Sequence, residues 1–380
     1  LRPLTHTGPK QLIKVAGKPI SQWCLEDLRS AGINNVAIVL GDIAPQRVVE
    51  YYGDGSWLGL DITYIYQGYP FGIAHAIYCV KDFIEDEPFV VYLGDNILFE
   101  GIRKFAEKFE RSDAVAQILL VKARDPRRFG VAKFDEKGNL VGLIEKPKTP
   151  PSPYALVGIY FFRPPYIFEA IEELRPSWRG ELEITEAIQK LLDWKLKVEY
   201  DFITGWWKDT GTPDDILEAN RMLLDGKISR IIKGSVEDGA VVDGRVVIEE
   251  NALVKSGSVI RGPAYIGRNT IIGDDTYIGP YTSIGNYCEI ENVEIEDSVL
   301  MDFVTVKDIG YRIVSSIIGS HASLTKRKGF PKGLKIINFA FDIVPAKFIK
   351  GIICEKGLIL SLIHISEPTR PRLISYAVFC

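Results

Sequence analysis

From Lys10 to about Leu224, short apolar runs alternate with amphipathic stretches, the pattern of an α/β architecture with a largely parallel sheet. Three runs read as buried strands: NVAIVL (Asn35 to Leu40), FVVYLGD (Phe89 to Asp95) and AVAQILLV (Ala114 to Val121). Between them, ISQWCLEDLRSAG predicts a helix ended by Gly32, and GIAHAIYCVKDFI spaces its apolar residues as one further helix. Phe129 to Phe134 and Leu140 to Ile144 read as a hairpin around the turn DEKGN, delivering Glu145 and Lys146 just before Pro147.

After about Asp225 the period becomes six. Val242, Ile248, Val254, Ile260, Ile266, Ile272, Ile278, Ile284 and Ile290 form an unbroken aliphatic series, and the residue two places before each is small or modest, from Ala240 to Cys288. That repetition predicts a β-helix of hexapeptides in which each aliphatic stacks on its equivalent one turn away. The hexad is gone from about Ile336. The final LIHISEPTRPRLISYAVFC (Leu362 to Cys380) resembles a conceptual translation of sequencing-adapter DNA and is set aside. The expected organisation is therefore an α/β domain over 1–225, a β-helix over 226–335 and a non-native tail over 336–380.

Composition narrows the partners. A chain of 380 residues, 46% hydrophobic, is long enough for two well-buried cores. Its net charge of −4, with mixed signs and no long basic run, argues against nucleic acid as a partner. Cys24, Cys79, Cys288, Cys354 and Cys380 are scattered without any Cys-x-x-Cys spacing, so neither a disulfide framework nor a zinc site is expected, and a reducing cytoplasm fits. The longest apolar run near the end, Gly357 to Ile365, is too short to span a bilayer, so no membrane partner is expected.

Candidate chemistry lies in the first domain. Asp95 in YLGDN and Asp209 in WWKDTGTPDD follow apolar or aromatic residues. Meeting in a cleft, they suit Mg²⁺, which keeps several waters and completes its shell with phosphate oxygens. The plainer reading of either is a turn aspartate capping a helix. Glu145 and Lys146 suit a polyhydroxy, phosphorylated ligand, or else form a solvated pair on a surface strand. Gln67 and Gly72 in QGYPFGIAHA suit a base edge and a ribose laid against backbone, or an ordinary strand-turn-helix connection, and His75 reads as structural. Arg2 and Lys10 put two cations near the start of the chain, where LRPLTHTGPKQL opens like the second half of a loop. Trp206 and Trp207 read as packing beneath Asp209.

The order of these segments, LRPLT, PKQL, QGYPFGIAHA, VVYLGDN, DPRRFGV, EKPK, VGIYFF, PSWRGELEIT and WWKDTGTPDD, followed by the hexapeptide solenoid, resembles the long form of glucose-1-phosphate thymidylyltransferases from Leu1 to roughly Lys335. The resemblance implies a Rossmann-like mixed-sheet nucleotidyltransferase domain followed by a left-handed parallel β-helix. It also implies that a loop Gly-Gly-x-Gly-Thr-Arg precedes Leu-x-Pro-x-Thr and cradles nucleotide phosphates. Carried over, Arg2, Lys10, Gln67, Gly72 and Asp95 would bind the nucleotide, and Gly130, Glu145, Lys146 and Val157 the sugar phosphate. Asp95 and Asp209 would hold Mg²⁺, with Lys10, Asp95, Lys146 and Asp209 catalytic. The implied reaction is in-line attack of glucose 1-phosphate on the α-phosphorus of dTTP. Three rivals stand beside it: a UTP-dependent uridylyltransferase, a bifunctional acyltransferase, and a non-catalytic assembly subunit. The second is disfavoured because the regular solenoid carries no histidine and His321 lies beyond it. The solenoid's flat faces suggest a homo-oligomer.

Overall fold

The computed structural model describes residues 8–325, together with the backbone of three short strands beyond them, Gly351–Cys354, Gly357–Leu360 and Ala377–Phe379. Along the chain, β1 (Lys14–Val15) and β2 (Lys18–Pro19) precede α1 (Ile20–Ser30), β3 (Asn35–Leu40), α2 (Pro45–Tyr52) and β4 (Asp61–Tyr66). Next come α3 (Ile73–Tyr78), α4 (Lys81–Ile84), β5 (Phe89–Leu93), β6 (Asn96–Leu98), α5 (Arg103–Glu110) and β7 (Ala116–Lys122). The α/β region closes with β8 (Gly130–Phe134), β9 (Leu140–Glu145), β10 (Tyr154–Phe162), α6 (Tyr166–Glu172), α7 (Ile184–Asp193), β11 (Val198–Phe202), β12 (Trp207–Asp209) and α8 (Pro213–Gly226). Two units result: one takes in Pro19–Gly211 and, from the end of the chain, Ala377–Phe379, the other Lys14–Lys18 and Thr212–Arg372.

The first unit is built on a sheet ordered β11, β7, β10, β5, Ala377–Phe379, β3, β4, with the hairpin β8–β9 attached at β10. β3 pairs β4 in parallel and β11 pairs β7 in parallel, whereas β10 runs antiparallel to β5 and β7. The sheet is thus mixed rather than largely parallel. Ala377–Phe379, within the region set aside as a tail, lies antiparallel to both β3 and β5 and pairs with three residues of each. Alternation along β5 explains the two cores: Phe89, Val91 and Leu93 face one, Val90 and Tyr92 the other. Both faces are covered, so the strands read as continuous apolar runs.

The stretch GIAHAIYCVKDFI forms two helices instead of one. The chain turns at Cys79 and Val80, and Val80 is fully buried in the core with Ala76 and Ile77. The hairpin forms as expected, with Gly130 opposite Glu145.

The second unit is a left-handed parallel β-helix whose three faces are sheets of six, six and five strands. Val246, Ala264 and Thr282 stack at 18-residue intervals, three hexads to a coil. Seven of the hexad aliphatics, Val254 through Ile290, are at most 1% exposed. After Ile290 the interior positions Ile295 and Leu300 come five residues apart, and Ser283 pairs with Val299 at a spacing of only 16. That shortening hides the later coils from a six-residue count. His321 accordingly belongs to a described coil, where its ring stacks on Phe303 (centroids 4.8 Å) and Phe303 on Tyr287 (5.0 Å). One sheet face is covered by α8: buried Asn220 accepts from Ala16 N (2.9 Å) and Ser283 Oγ (2.6 Å) and donates to the Tyr281 carbonyl (2.8 Å).

Candidate active site

A cleft in the first unit gathers most of the residues singled out from the sequence. Asp95 follows β5, and Asn96 opens β6, which pairs antiparallel with β12 so that Asp209 stands opposite Asn96. Thr210 N then donates to the Asp95 carbonyl at 3.0 Å. Two aspartates remote in sequence are thereby brought to one cleft. Asp209 is not a helix cap: Thr212 caps α8, accepting from Asp215 N, while the Asp215 carboxylate accepts from Thr212 N.

Asn96, 3% exposed, holds this part of the cleft together. Its Nδ2 donates to Asp95 Oδ1 (2.7 Å), and its Oδ1 accepts from Trp207 Nε1 (2.8 Å) and Gly158 N (3.3 Å). A Cβ on Gly158 would come within 2.8 Å of Asn96 Nδ2, so the strand must carry glycine there. Trp207 meets Phe129 edge-on (5.5 Å) and, half-buried, also lines the cleft. Lys10 forms an ion pair with Asp95, both side chains being largely buried.

On the opposite wall β9 ends in Glu145, whose Oε2 accepts from Thr185 Oγ1 (3.1 Å). Arg179 Nη1 lies 3.5 Å from Glu145 Oε1 and 3.3 Å from Glu183 Oε1, while Nη2 lies 2.9 Å from Glu181. Burial, reinforced by Glu183, raises the Glu145 carboxyl above its ordinary pKa, and Lys146, Thr185 and Arg179 oppose that rise. Lys146 Nζ is 3.6 Å from Glu145 Oε1. Its backbone is left-handed (φ 41°) and its N donates to the Phe129 carbonyl (3.0 Å). Lys146 thus stands just past the end of β9, exposed and lining the cleft.

The far end of the cleft carries Gln67, just past β4, and Gly72, just before α3. Gly72 adopts φ 103°, and a Cβ there would stand 2.6 Å from the Leu182 carbonyl oxygen. Leu182 N donates to the Phe71 carbonyl (2.6 Å) and Ala74 N to the Leu182 carbonyl (3.2 Å).

Gln67, Gly72, Asp95, Gly130, Glu145, Lys146 and Asp209 therefore line one cleft, and Lys10 reaches it through Asp95. Val157 does not line it. Side chains alternate along β10, so Leu156 and Gly158 face the cleft while Val157 is fully buried in the core beneath the other sheet face. Arg2 lies outside the described residues. Sequence reasoning missed Asn96, Arg179, Glu183 and Thr185. The last three sit in the RGELEIT segment, whose tight alternation of charged and apolar residues was the available signal.

Mixed sheet, convergent acids and bases, and solenoid together define a nucleotidyltransferase architecture. Residues 1–226 match the family of nucleotidyl transferases, and the chain belongs to it. It is 50% identical over 338 residues to the low-salt glycan biosynthesis nucleotidyltransferase Agl11 of Haloferax volcanii, covering 89% of this chain and 94% of that protein. A glucose-1-phosphate thymidylyltransferase of Streptomyces antibioticus is 48% identical over 253 residues, 66% of this chain and 70% of that protein. Among solved structures, a Bacillus anthracis protein assigned as a glucose-1-phosphate thymidylyltransferase, in complex with a sucrose, aligns at a TM-score of 0.55 and 36% identity over 58% of this chain and 89% of its own. Among the described residues no helix is long and apolar enough to cross a membrane.

Proposed function

We propose that the protein transfers the thymidylyl group of dTTP to glucose 1-phosphate, forming dTDP-glucose and pyrophosphate. The supporting observation is the division of labour across one cleft: Asp95 and Asp209 with Lys10 on one wall, Glu145, Lys146 and Arg179 on the other. The sugar-phosphate oxygen is already anionic, so it attacks the α-phosphorus without a general base. A new P–O bond forms as the bond to the β-phosphate oxygen breaks, and pyrophosphate leaves with the electron pair.

Lys10, Lys146 and Arg179 supply the positive charge that lets two polyanions approach. Glu145, steadied by Thr185, accepts hydrogen bonds from sugar hydroxyls. Gln67 and Gly72 receive the base and ribose. Holding both reactants in line supplies the orientation on which such a displacement depends, on the order of 7–11 kcal/mol in favourable cases.

Among the described residues no group of three or more histidine, cysteine or acidic side chains forms a metal site. Two carboxylates with hard oxygen donors nevertheless fit Mg²⁺, which takes its remaining ligands from water and phosphate. Asp95 and Asp209 would hold it. When bound, the ion neutralises charge on the phosphates.

The test is pyrophosphate release by the full-length protein with Mg²⁺ and glucose 1-phosphate, comparing dTTP with UTP. Turnover with dTTP at least matching that with UTP supports the reading. Release with UTP alone overturns the thymidylyl assignment, and release with neither overturns the whole.

A further inference from the structure

Gln67 is 7% exposed, and two acceptors fix its amide. A carbonyl oxygen can only accept, so the atom 3.0 Å from the Gly72 oxygen is Nε2. The same Nε2 lies 3.3 Å from His75 Nδ1, on the first turn of α3. Nε2 carries two hydrogens, and the second reaches a lone pair on Nδ1 only if the imidazole is neutral and protonated at Nε2. The neutral form is favoured, because burial lowers the His75 pKa and no charged neighbour contributes to the shift. The ring is held edge-on against Phe71 (centroids 5.3 Å), and the Cys79 thiol stands farther off, 4.0 Å from either ring nitrogen.

With both amide hydrogens taken, Oε1 is the atom of Gln67 left for the cleft, and it accepts no hydrogen bond among the described residues. One acceptor settles which end of the amide is nitrogen. Two acceptors also settle its plane, and with it the direction of the Oε1 lone pairs.

We propose that His75 is a positioning residue that locks Gln67 with Oε1 aimed at the nucleotide, so that the cleft selects a pyrimidine whose N3 carries a hydrogen. Uracil and thymine present such a donor at N3, whereas cytosine presents an acceptor there. A buried acceptor facing another acceptor is left unpaired, which makes the discrimination larger than the value of the bond itself. The inference rests on the nucleotidyl-transfer reading above and names the feature of the nucleotide that its base end recognises.

The experiment is steady-state kinetics of the full-length protein with dTTP, UTP and CTP, for the unaltered chain, His75→Phe and His75→Asn. Phenylalanine keeps a ring against Phe71 but removes the acceptor, and asparagine restores an acceptor where Nδ1 was. Losing one hydrogen bond is expected to raise the KM of H75F for dTTP and UTP about 10-fold and to cut its preference over CTP by about as much. Its kcat should stay within about twofold, and H75N should return KM to within about threefold of the unaltered value, as expected when an equivalent acceptor is supplied. Unchanged KM and base preference in H75F, or H75N as impaired as H75F, overturns the inference while leaving nucleotidyl transfer standing. Absence of pyrophosphate release by the unaltered protein with all three nucleotides removes the reading itself, and the inference with it. Imidazole ¹⁵N spectra of the unaltered protein need no variant: an unprotonated Nδ1 is expected, and a proton on Nδ1 refutes the lock.

Discussion

The amide and the hydroxyl of Thr210 both donate to the carbonyl oxygen of Asp95, at 3.0 and 2.9 Å. This fully buried threonine pins the start of one acidic segment to the end of the other. Asp95→Asn and Asp209→Asn should each lower pyrophosphate release by roughly 100-fold or more, the scale on which single charge-stabilising groups act. Asp209→Asn should shift the melting temperature by no more than a few degrees, whereas Asp95→Asn removes the buried carboxylate that Lys10 meets and should lower it further. Full activity in either variant would remove that residue from the site. Thr210→Val loses the hydroxyl bond alone and should cost about 1 kcal/mol of stability, read from a denaturant titration.

Glu145 links activity to pH in a direction that burial sets. Its carboxyl pKa lies above the ordinary value when folded, so between the two values the folded chain binds more protons than the unfolded one. Stability therefore falls as pH rises through that window and stays lower above it. Glu145→Gln cannot ionise and should melt higher than the unaltered protein at pH 7, with the gap shrinking toward pH 4. Its turnover should drop roughly 10- to 100-fold, because a charged acceptor toward the sugar is lost. Thermal melts at both pH values, paired with a rate profile, check the two effects. A lower melting temperature at pH 7 would contradict the assigned cause of the shift.

Gly72→Ala meets strain and crowding together. The backbone there is at φ 103°, and the added methyl would stand 2.6 Å from the Leu182 carbonyl oxygen. A loss of about 1–3 kcal/mol in unfolding free energy is expected, together with a raised KM for the nucleotide. Unaltered stability in a urea titration would show that the loop yields at no cost.

In the solenoid, Ile272 is fully buried in a column of aliphatic neighbours. Ile272→Ala should destabilise that unit by about 2–5 kcal/mol, since stacked coils have little freedom to collapse onto a cavity. Hydrogen exchange resolved by peptide should show the loss centred on adjacent coils and fading with distance. Uniform loss across the chain would contradict nearest-neighbour stacking.

How much of this was legible in the sequence depended on how local the signal was. The β-helix could be read because every coil repeats the same side-chain demand, and it became unreadable after Ile290, where five-residue steps break the count. Asp95 and Glu145 stood out because each closes an apolar run. Asn96 did not, since beyond its neighbour Asp95 its importance lies in two partners that the fold brings from β10 and β12. The side chain of Val157 turns away from the cleft because neighbouring residues of a strand face opposite ways, and the segment alone does not say which face looks into it. The break between α3 and α4 carries no glycine or proline to announce it.

The two main-chain bonds joining Phe71 and Ala74 to Leu182 have a thermodynamic corollary. They stitch the segment that would receive the base to the segment bearing Arg179 and Thr185, which would receive the sugar phosphate. Were one substrate to stiffen that seam, reciprocity would require the other to gain affinity by the same factor, whichever arrives first.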